Sequence, residues 1–581
     1  MADAGRDKLE AGLICARAVG ASSVPYCVML LTNFTHIDLP GGRVHFPPEH
    51  TCMAAVAKSC AGGSVDVLPP RVTKPKGVKQ ARGAPDADEW MEAIQTELEA
   101  LVTVKQALMM MDMEDVPPGV RLLDMALVLK VKLDKHRQLQ KRKARVCVRG
   151  NKQGYGVDYF DTFAPCTQLS SVRLVIILAL KLGLEVYHMD VETAFLNSTL
   201  EEDLYVRLRR GLEYQGRTCA KLLKAVYGLK QAGKEWFDTS DAFIMNYDER
   251  MRRSDVEPCL YYIRDSDITV IILAYVDDYL CATNNRSWYD SFVATFNSQY
   301  ACKDLGVLDL MVDTYGLKDA KPASLPMSPG CSLAPSDGKD TTIPFRGLLG
   351  QLQWIARCTR PDIMAVVSAL SRFCASYGPE HFVALKQVVR YLKGTMSYEL
   401  VLRTTSSVPR GLGLAGGALP MSIYIDADYA GCKTTRRSTS GIAVYLCGSL
   451  LIFSSIMQRC VSLSTTEAEI IAMSEGAREI KYIINVLNDL VDICNPVPMY
   501  CDNQEAIHLA SDYVNNNRSK HIEVRNMYIR ELVKSKTVEA SYVSSADNTA
   551  DIFTKPLPLP AFLTHTERLG IMKLKDSDPE D

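Results

Sequence analysis

Two adjacent carboxylates, Asp277 and Asp278, separate two apolar stretches in the segment Ile268–Leu280, ITVIILAYVDDYL. This pattern predicts a hairpin with both acids at its turn. An aspartate in a turn often serves only the turn, because its side chain hydrogen-bonds nearby backbone. Two ionised groups at the end of a buried strand repel each other, however, and a divalent cation relieves that repulsion. Such a metal site needs a third carboxylate from elsewhere in the chain.

A third carboxylate, Asp190, ends a second predicted strand in LEVYHMDVETAFLN. Taken alone, it fits a residue that caps the turn or short helix that follows. Together with Asp277 and Asp278 it forms a three-carboxylate cluster, which suits two Mg²⁺ ions and in-line attack on a phosphate.

Four more acids fall at the ends of predicted elements nearer the C-terminus: Asp426, Glu467, Asp502 and Asp551. Each has a simpler explanation, since Ser464 and Glu467 form a capping box and the aspartates could be caps or a solvated strand end. The surrounding pattern predicts three short strands in residues 421–455, a long helix, and then strands alternating with helices. Four such coincidences in one α/β unit favour a single site.

Length and composition limit the class of protein to which these sites can belong. At 581 residues, with 47% hydrophobic and 23% charged residues and a formal net charge of −2, the chain predicts about three or four soluble globular domains. Positive charge is concentrated in residues 130–152, which hold a single acid, Asp134. That run is either a solvated face or a contact for phosphates.

The 18 cysteines contain no C-x-x-C pair, which favours reduced intracellular thiols over disulfides or a zinc site. We find no signal peptide and no apolar run of bilayer length, so the expected location is cytoplasmic or nuclear, without a membrane contact. Residues 1–85 end in a Pro, Gly and Lys rich stretch and are expected to form a flexible N-terminal segment with no assigned function. The first folded domain is expected to begin at Asp86.

The motifs YHMDVETAFLN, AVYGLKQAGKEW and AYVDDYL, in this order, resemble the reverse transcriptase of copia-type LTR retrotransposons. The segments KRKARVCVRGNKQGYGVDYFDTFAPCTQLSSVRL and LGQLQWIARCTRPDIMAVVSALSR are similar to the same family. IDADYAGC, STTEAE, YCDNQEAI and NTADIFTKPL resemble its ribonuclease H. The resemblance extends from about Asp86 to about Leu569.

This resemblance implies an α+β multidomain fold. It comprises right-hand polymerase fingers and palm with a truncated thumb, a helical connection, and an α/β ribonuclease H-like domain. The expected boundaries are 86–325 for fingers, palm and shortened thumb, 326–412 for the connection, 413–565 for the ribonuclease H-like domain and 566–581 for an acidic C-terminal tail.

In the polymerase domain, the resemblance implies that Asp190 and Asp277 hold two Mg²⁺ ions and that Asp278 assists, with Mn²⁺ as a substitute metal. Phe195 corresponds to the aromatic residue that excludes a 2′-hydroxyl, although it could equally be a core residue. The remaining assignments concern the nucleotide: Lys143 and Arg145 would grip its triphosphate, and Gln231 would touch the nucleotide or the template.

In the ribonuclease H-like domain, the resemblance implies that the four acids Asp426, Glu467, Asp502 and Asp551 bind two Mg²⁺ ions. They would activate water against the RNA strand of an RNA–DNA hybrid. His521 also matches a family position, but a surface histidine with satisfied hydrogen bonds explains it equally well. The implied partners are an RNA template, a DNA primer, the RNA–DNA hybrid and deoxynucleoside triphosphates, and the sequence does not define the oligomeric state.

The resemblance is interrupted after KDLG, where KDLGVLDLMVDTYGLKDAKPASLP omits much of the family's primer-positioning region. Gly233 also stands where the family favours proline. Two functions therefore remain open: an RNA-directed DNA polymerase with ribonuclease H activity, and a catalytically impaired remnant, which is either decaying or retained as a non-enzymatic nucleic-acid-binding protein. If polymerisation is impaired, we expect ribonuclease H activity to survive better.

Overall fold

The computed structural model describes residues 36–39, 42–45, 75–133, 139–300, 321–331, 333–336, 343–402, 418–491, 493–511 and 520–573. Only the backbone is described for residues 36–39, 42–45, 132–133 and 520–523. The twelve α-helices of these residues are α1 (Val78–Arg82), α2 (Ala87–Glu99), α3 (Leu169–Leu182), α4 (Ala232–Tyr247), α5 (Arg286–Gln299), α6 (Phe345–Cys358), α7 (Met364–Ser371), α8 (Pro379–Gly394), α9 (Thr465–Leu490), α10 (Gln504–Ser511), α11 (Lys520–Lys534) and α12 (Leu559–Arg568).

The strands begin with a short hairpin, β1 (His36–Leu39) and β2 (Gly42–His45). The fingers sheet has the order β3-β8-β7-β4-β5, and its strands are β3 (Leu108–Met111), β4 (Leu122–Leu133), β5 (Leu139–Val148), β7 (Tyr205–Arg207) and β8 (Cys219–Leu222). Its longest pairing is the antiparallel β4–β5 hairpin. Along β5, Ala144 and Val146 face the core and alternate with the more exposed Lys143 and Arg145. Lys143 and Arg145 of the basic run therefore lie on one face of the sheet, and the other face is buried.

The palm sheet is antiparallel in the order β6-β12-β11-β10-β9, and its strands are β6 (Glu185–Asp190), β9 (Arg252–Arg253), β10 (Leu260–Arg264), β11 (Thr269–Tyr275) and β12 (Asp278–Thr283). One face packs against α3, in which every residue from Ser171 to Lys181 is buried. The other face carries Tyr279 and contacts an aromatic cluster that includes Phe292 and Phe296. These apolar faces hold the end of the sheet where the acids lie.

The C-terminal sheet has the order β16-β15-β14-β17-β18, and its strands are β14 (Met421–Asp428), β15 (Thr439–Leu446), β16 (Ser449–Met457), β17 (Val497–Cys501) and β18 (Val538–Tyr542). The first three strands form antiparallel pairs, and β17 and β18 add in parallel. The long helix α9 packs across it, and Gly476 lies where an added Cβ would meet Ile423 and Ile425 at 2.8 Å. A larger residue at this position would require these two isoleucine side chains to shift.

Helices α6, α7 and α8 lie between these two units and share one apolar core with α3 and the C-terminal sheet. A buried ion pair between Arg360 and Asp362, 2.7 Å apart, receives a hydrogen bond from Tyr391 at 2.6 Å. The α+β multidomain architecture expected from the sequence is confirmed. No helix in the described part of the chain is long and apolar enough to cross a membrane.

Three of the expected boundaries need comment. Helix α1 is folded, since Val78 and Ala81 are buried in the fingers core, so the boundary at residue 85 is too late. The predicted tail is also partly folded, because α12 continues to Arg568 and β19 (Ile571–Lys573) pairs with β13 (Tyr398–Leu400). The truncation expected after KDLG falls largely on residues 301–320, which lie outside the described residues.

Candidate active sites

The palm hairpin brings the three predicted acids to one end of a sheet. Tyr275 pairs with Asp278 across a two-residue turn, and Asp278 in turn pairs with Asp190 on β6. The N–H of Val191 donates to the Asp277 carbonyl at 2.7 Å, which ties the turn to the end of β6. Val276 has a φ of 57°, a conformation that is strained for a β-branched residue and typical of functional sites.

The three acids differ in their surroundings. Asp278 has no exposed surface, and its Oδ1 lies 3.1 Å from Nε2 of His188. Asp190 is also buried, whereas Asp277 is more accessible. Burial raises the pKa of Asp277, although its own backbone N–H and Arg145 oppose this shift. Asp278 pairs with Asp190 on the neighbouring strand and directly follows Asp277, so the three acids share one edge of the sheet.

Two of the predicted nucleotide residues contact Tyr227, and one of them, Arg145, also acts on Asp277. The guanidinium of Arg145 stacks over the ring of Tyr227, 4.7 Å from its centroid, and it acts electrostatically on Asp277. Phe195 meets the same tyrosine edge-on, with ring centroids 5.4 Å apart. Tyr227 therefore joins the fingers hairpin to the palm, a role the sequence analysis missed even though the residue belongs to AVYGLKQAGKEW. Burial raises the pKa of Tyr227 to about 12, which keeps its hydroxyl neutral.

Lys143 lies on the same face of β5 as Arg145. Burial lowers the pKa of its ammonium, and Arg145 adds to the shift, whereas Glu97 opposes it. Glu97 is held in place by the N–H of Val146, which donates to Oε1 at 3.2 Å. A half-buried pair of cations on one strand face suits a highly charged anion such as a triphosphate.

Gln231 does not reach an open site, which corrects its assignment to nucleotide or template. It is fully buried, and its Oε1 accepts a hydrogen bond from Gln153 at 3.0 Å. Its Nε2 donates to the Asp158 carbonyl at 3.0 Å and to Glu202 at 3.2 Å. The amide instead links the fingers loop to the start of α4.

The second site collects acids at the centre of the C-terminal sheet. Asp426 on β14 is buried, and the hydroxyl of Thr554 donates to its Oδ2 at 2.6 Å. Burial raises the pKa of Asp426, and Asp551 and Asp502 raise it further. Asp551 lies in a short 3₁₀ helix, Thr549–Phe553, and forms an ion pair with Lys555.

On α9 the structure brings Glu469, and not the predicted Glu467, next to Asp426 and Asp502. Burial raises the pKa of Glu469 to about 9, with Asp426 and Asp502 adding to the shift. Its Oε1 accepts the N–H of Ala427 at 3.1 Å, next to Asp426. Glu467 instead belongs to the N-terminal cap of α9: its N–H donates to Oγ of Ser464 at 3.1 Å, and its Oε2 accepts the N–H of Leu463 at 2.7 Å. Residues two apart on a helix do not share a face, so Glu467 and Glu469 cannot both face Asp426.

Asp502 follows β17 and accepts a hydrogen bond from Ser545 at 2.6 Å. Potential ligand atoms of Glu469, Cys501 and Asp502 lie within 4.8 Å of one another, which is the one such group found in the described part of the chain. His521 lies at the start of α11, but its side chain is outside the described residues, so its role remains a prediction.

Comparison with known proteins identifies the family of the chain. A family model described as reverse transcriptase (RNA-dependent DNA polymerase) matches residues 109–320. A putative Ty5-1 transposon protein of Saccharomyces cerevisiae is 32% identical over 324 residues, which make up 50% of this chain and 100% of that protein. The chain belongs to the copia-type retrotransposon Pol family.

Two longer Pol polyproteins of this family match most of the chain. That of transposon TNT 1-94 from Nicotiana tabacum is 31% identical over 86% of this chain and 39% of the relative. That of transposon RE1 from Arabidopsis thaliana is 31% identical over 84% of this chain and 34% of the relative. The chain thus spans little more than a third of these curated relatives. Among solved structures, a foamy viral protease-reverse transcriptase in complex with an RNA/DNA hybrid is similar to this chain. The alignment covers 89% of this chain and 58% of the viral chain, at 11% identity and a TM-score of 0.43.

Proposed function

We propose that this chain is an RNA-directed DNA polymerase that also degrades the RNA strand of an RNA–DNA hybrid. The observation that carries the proposal is the pairing of Asp278 with Asp190, beside the turn between β11 and β12 that holds Asp277, inside a chain of the reverse transcriptase family. Its partners are an RNA template, a DNA primer, the RNA–DNA hybrid and deoxynucleoside triphosphates.

The donor sets fit divalent cations such as Mg²⁺ or Mn²⁺. Burial and mutual repulsion raise the pKa values of Asp426 and Glu469, and burial raises that of Asp277, so these acids are poorly stabilised without a cation. Carboxylate oxygens are also the ligands that these hard ions prefer. Asp190, Asp277 and Asp278 would hold metal in the palm, and Asp426, Glu469, Asp502 and Asp551 would hold it in the C-terminal domain. When bound, the metal lowers the pKa of the attacking hydroxyl or water and neutralises charge on the leaving oxygen.

The residues around the palm acids supply the binding surface for a nucleotide. Arg145 and Lys143 provide positive charge for the triphosphate, next to Asp277. Phe195, packed edge-on against Tyr227, provides a flat apolar wall that suits a deoxyribose and excludes a 2′-hydroxyl. The tight packing of α4 against the turn, with Trp236 donating to the Val276 carbonyl, keeps the hairpin fixed during the reaction.

In the second site, the chain's own groups orient the acids. Thr554 and Ser545 donate to Asp426 and Asp502, and the backbone of Ala427 donates to Glu469. Lys555 lies among Asp551, Asp426 and Asp428, and these acids raise its pKa although burial opposes the shift. The ammonium therefore stays charged and partly balances the acids until a metal is bound.

The test uses the full chain on a primed RNA template with Mg²⁺, and follows primer extension and hybrid cleavage in the same reaction. Asp277→Asn should abolish extension while hybrid cleavage persists, because the two sites are built from different elements. Absence of both activities in the wild-type chain at every metal concentration would refute the proposal. Cleavage without extension in the wild type would instead support the impaired-polymerase alternative.

A further inference from the structure

A buried cysteine lies directly beside the acids of the C-terminal site. Cys501 is the last residue of β17, and its side chain is fully buried. Its Sγ lies 3.7 Å from Oε2 of Glu469. Ligand atoms of Cys501, Glu469 and Asp502 all lie within 4.8 Å of one another. The thiol therefore belongs to the same cluster as two of the acids that the proposed function assigns to metal.

The spacing of these atoms matches a metal bridge. A tetrahedral Zn²⁺ ion holds a thiolate at about 2.3 Å and a carboxylate oxygen at about 2.1 Å, which puts the two ligand atoms about 3.6 Å apart. The separation of Cys501 Sγ and Glu469 Oε2 is 3.7 Å. In the metal-free chain the thiol donates a weak hydrogen bond across this gap. A bound ion takes the place of the thiol proton, and the proton is released to solvent.

The backbone holds both ligand groups in position. Oε1 of Glu469 accepts the N–H of Ala427 at 3.1 Å, and Oε2 of the same carboxylate is directed at the sulfur. The N–H of Asn503 donates to Cys501 Sγ at 3.4 Å. Donors of this kind fix the orientation of metal ligands and favour their negative charge. The sulfur is thus placed to bind metal as a thiolate.

Asp502 connects the cluster to solvent. Its side chain is partly exposed, whereas Cys501 and Glu469 are buried. Asp426 acts electrostatically on both of these buried groups, so it lies close to them. A Zn²⁺ ion with three protein ligands keeps its fourth position for water or a further ligand. The cluster supplies the three ligands, and the Asp502 side gives the ion a path of entry.

The sulfur changes which cation the cluster prefers. Mg²⁺ binds oxygen ligands in octahedral geometry, so the thiol adds nothing to its binding. Zn²⁺ binds thiolate sulfur well and needs only four ligands. A cysteine between two carboxylates therefore raises the affinity for zinc relative to magnesium. The lack of a C-x-x-C pair does not exclude such a site, because only one of its ligands is a cysteine.

We propose that Cys501, Glu469 and Asp502 form a zinc site that competes with Mg²⁺ in the C-terminal domain. The inference rests on the proposed function, because Glu469 and Asp502 are among the acids that would hold Mg²⁺ there. The two ions exclude each other, since both need the same two carboxylates. Zinc bound through the sulfur therefore inhibits hybrid cleavage, and an excess of Mg²⁺ reverses the inhibition.

The first experiment binds Co²⁺ to the full metal-free chain as a spectroscopic probe for Zn²⁺. Thiolate bound to Co²⁺ gives a charge-transfer absorption in the near ultraviolet, which carboxylates do not give. The wild type should show this band, and added Zn²⁺ should remove it. Cys501→Ser and Cys501→Ala should each lack the part of the band that this site contributes. Glu469→Gln should weaken Co²⁺ binding at this site by at least about tenfold.

Cys447→Ser is the matched control, because Cys447 is equally buried in the same domain but lies at the other end of the sheet. Its N–H donates to the carbonyl of Pro420, just before β14, whereas Asp426 lies near the end of that strand. This variant should keep the wild-type band. The other thiols of the chain contribute equally to every variant, so the spectra are compared as differences from the wild type.

The second experiment adds Zn²⁺ to hybrid cleavage at a fixed concentration of Mg²⁺. The Zn²⁺ concentration that halves each variant's own cleavage rate should be at least about tenfold higher for Cys501→Ser than for the wild type, because one ligand is lost. Cys447→Ser should be inhibited like the wild type. The proposal is overturned if Cys501→Ser and Cys501→Ala keep the full Co²⁺ band, or if Zn²⁺ inhibits Cys501→Ser at wild-type concentrations.

The two experiments separate the zinc site from the proposed activity. A chain that shows the Cys501-dependent band but never cleaves a hybrid in Mg²⁺ refutes the proposed ribonuclease activity and supports the zinc site. A chain that cleaves the hybrid in Mg²⁺ but lacks the band refutes the zinc site alone.

Discussion

At the residue scale, Glu469 and Glu467 provide a matched pair for testing the second site. Only Glu469 contacts the backbone next to Asp426, whereas Glu467 caps α9. Glu469→Gln should reduce hybrid cleavage by more than about 100-fold, because even the outer partners of a metal site typically contribute about 10- to 100-fold. Glu467→Gln should cleave like the wild type, since the amide oxygen of glutamine can also accept the N–H of Leu463. The reverse result in the cleavage assay would restore the assignment made from sequence.

The raised pKa of Glu469, about 9, makes stability depend on pH and metal. In strong acid Glu469 is protonated in both the folded and the unfolded chain, and its full contribution to the stability of the fold is present. As the pH rises above about 4.3, the unfolded chain releases this proton while the folded chain keeps it, so stability falls until the pH reaches the folded pKa. Thermal unfolding of the metal-free protein should show this decline.

Bound metal favours the ionised carboxylate, so added Mg²⁺ should raise the melting temperature more at about pH 8 than at about pH 5.5. Glu469→Gln should weaken this pH dependence, whereas Glu467→Gln should retain it. If Mg²⁺ raised the melting temperature of the wild type equally at both pH values, metal binding would not depend on the loss of a proton from Glu469, which would contradict the prediction.

Sequence alone could not decide which of two neighbouring residues belongs to a site. Sequence sufficed to place Asp190, Asp277 and Asp278 at strand ends, because turn chemistry is local. Glu469 was missed because both glutamates of STTEAE fit a helix start, and only the rotation of α9 over the sheet decides which one faces Asp426. Gln231 was misassigned for a similar reason, because its three hydrogen-bond partners come from distant parts of the chain.

At the element scale, α3 joins the palm to the rest of the molecule through a buried arginine. Arg173 is 4% exposed and donates to the carbonyls of Arg357 and Cys358 at the end of α6. Its guanidinium also lies 4.6 Å from the ring centroid of Phe453 on β16. Burial lowers the pKa of Arg173 to about 10, so it still carries its charge at neutral pH. One side chain thus links three elements.

Arg173→Ala should destabilise the protein by about 3 kcal/mol, because it leaves buried carbonyl groups without donors and removes the contact with Phe453. Arg286→Ala is the control: its side chain is 54% exposed in a surface pair with Asp290, which is expected to contribute less than about 1 kcal/mol. Urea unfolding of both variants measures the difference. Equal midpoints would show that the buried arginine does not hold these elements together.

Elements with strong local patterns were predicted well, and those stabilised by distant partners were not. The palm hairpin, α3, α8 and the strands of the C-terminal sheet follow from periodicity and turn residues. Helix α1 and strand β19 were missed because each is short and gains its stability elsewhere, α1 from the fingers core and β19 from pairing with β13. Short segments of this kind carry too little pattern to be recognised alone.

At the scale of the whole molecule, the palm and the C-terminal domain are in direct contact. Glu257 of the palm accepts hydrogen bonds from Ser171 at 2.7 Å and from Tyr482 of α9 at 3.0 Å. Together with Arg173, this contact joins the two units through buried groups, which a relative movement would have to separate. We therefore expect a fixed distance between the two sites along a bound hybrid.

This fixed distance can be measured with Asp277→Asn, in which the primer end should stay in place because extension is blocked. Hybrid cleavage should then cut end-labelled RNA within a narrow window from the primer terminus. Adding Arg173→Ala should broaden the window, since the palm and the C-terminal domain lose a buried connection, whereas adding Arg286→Ala should leave it unchanged. Equally narrow windows in both double variants would show that the spacing is set by the nucleic acid and not by the contact between domains.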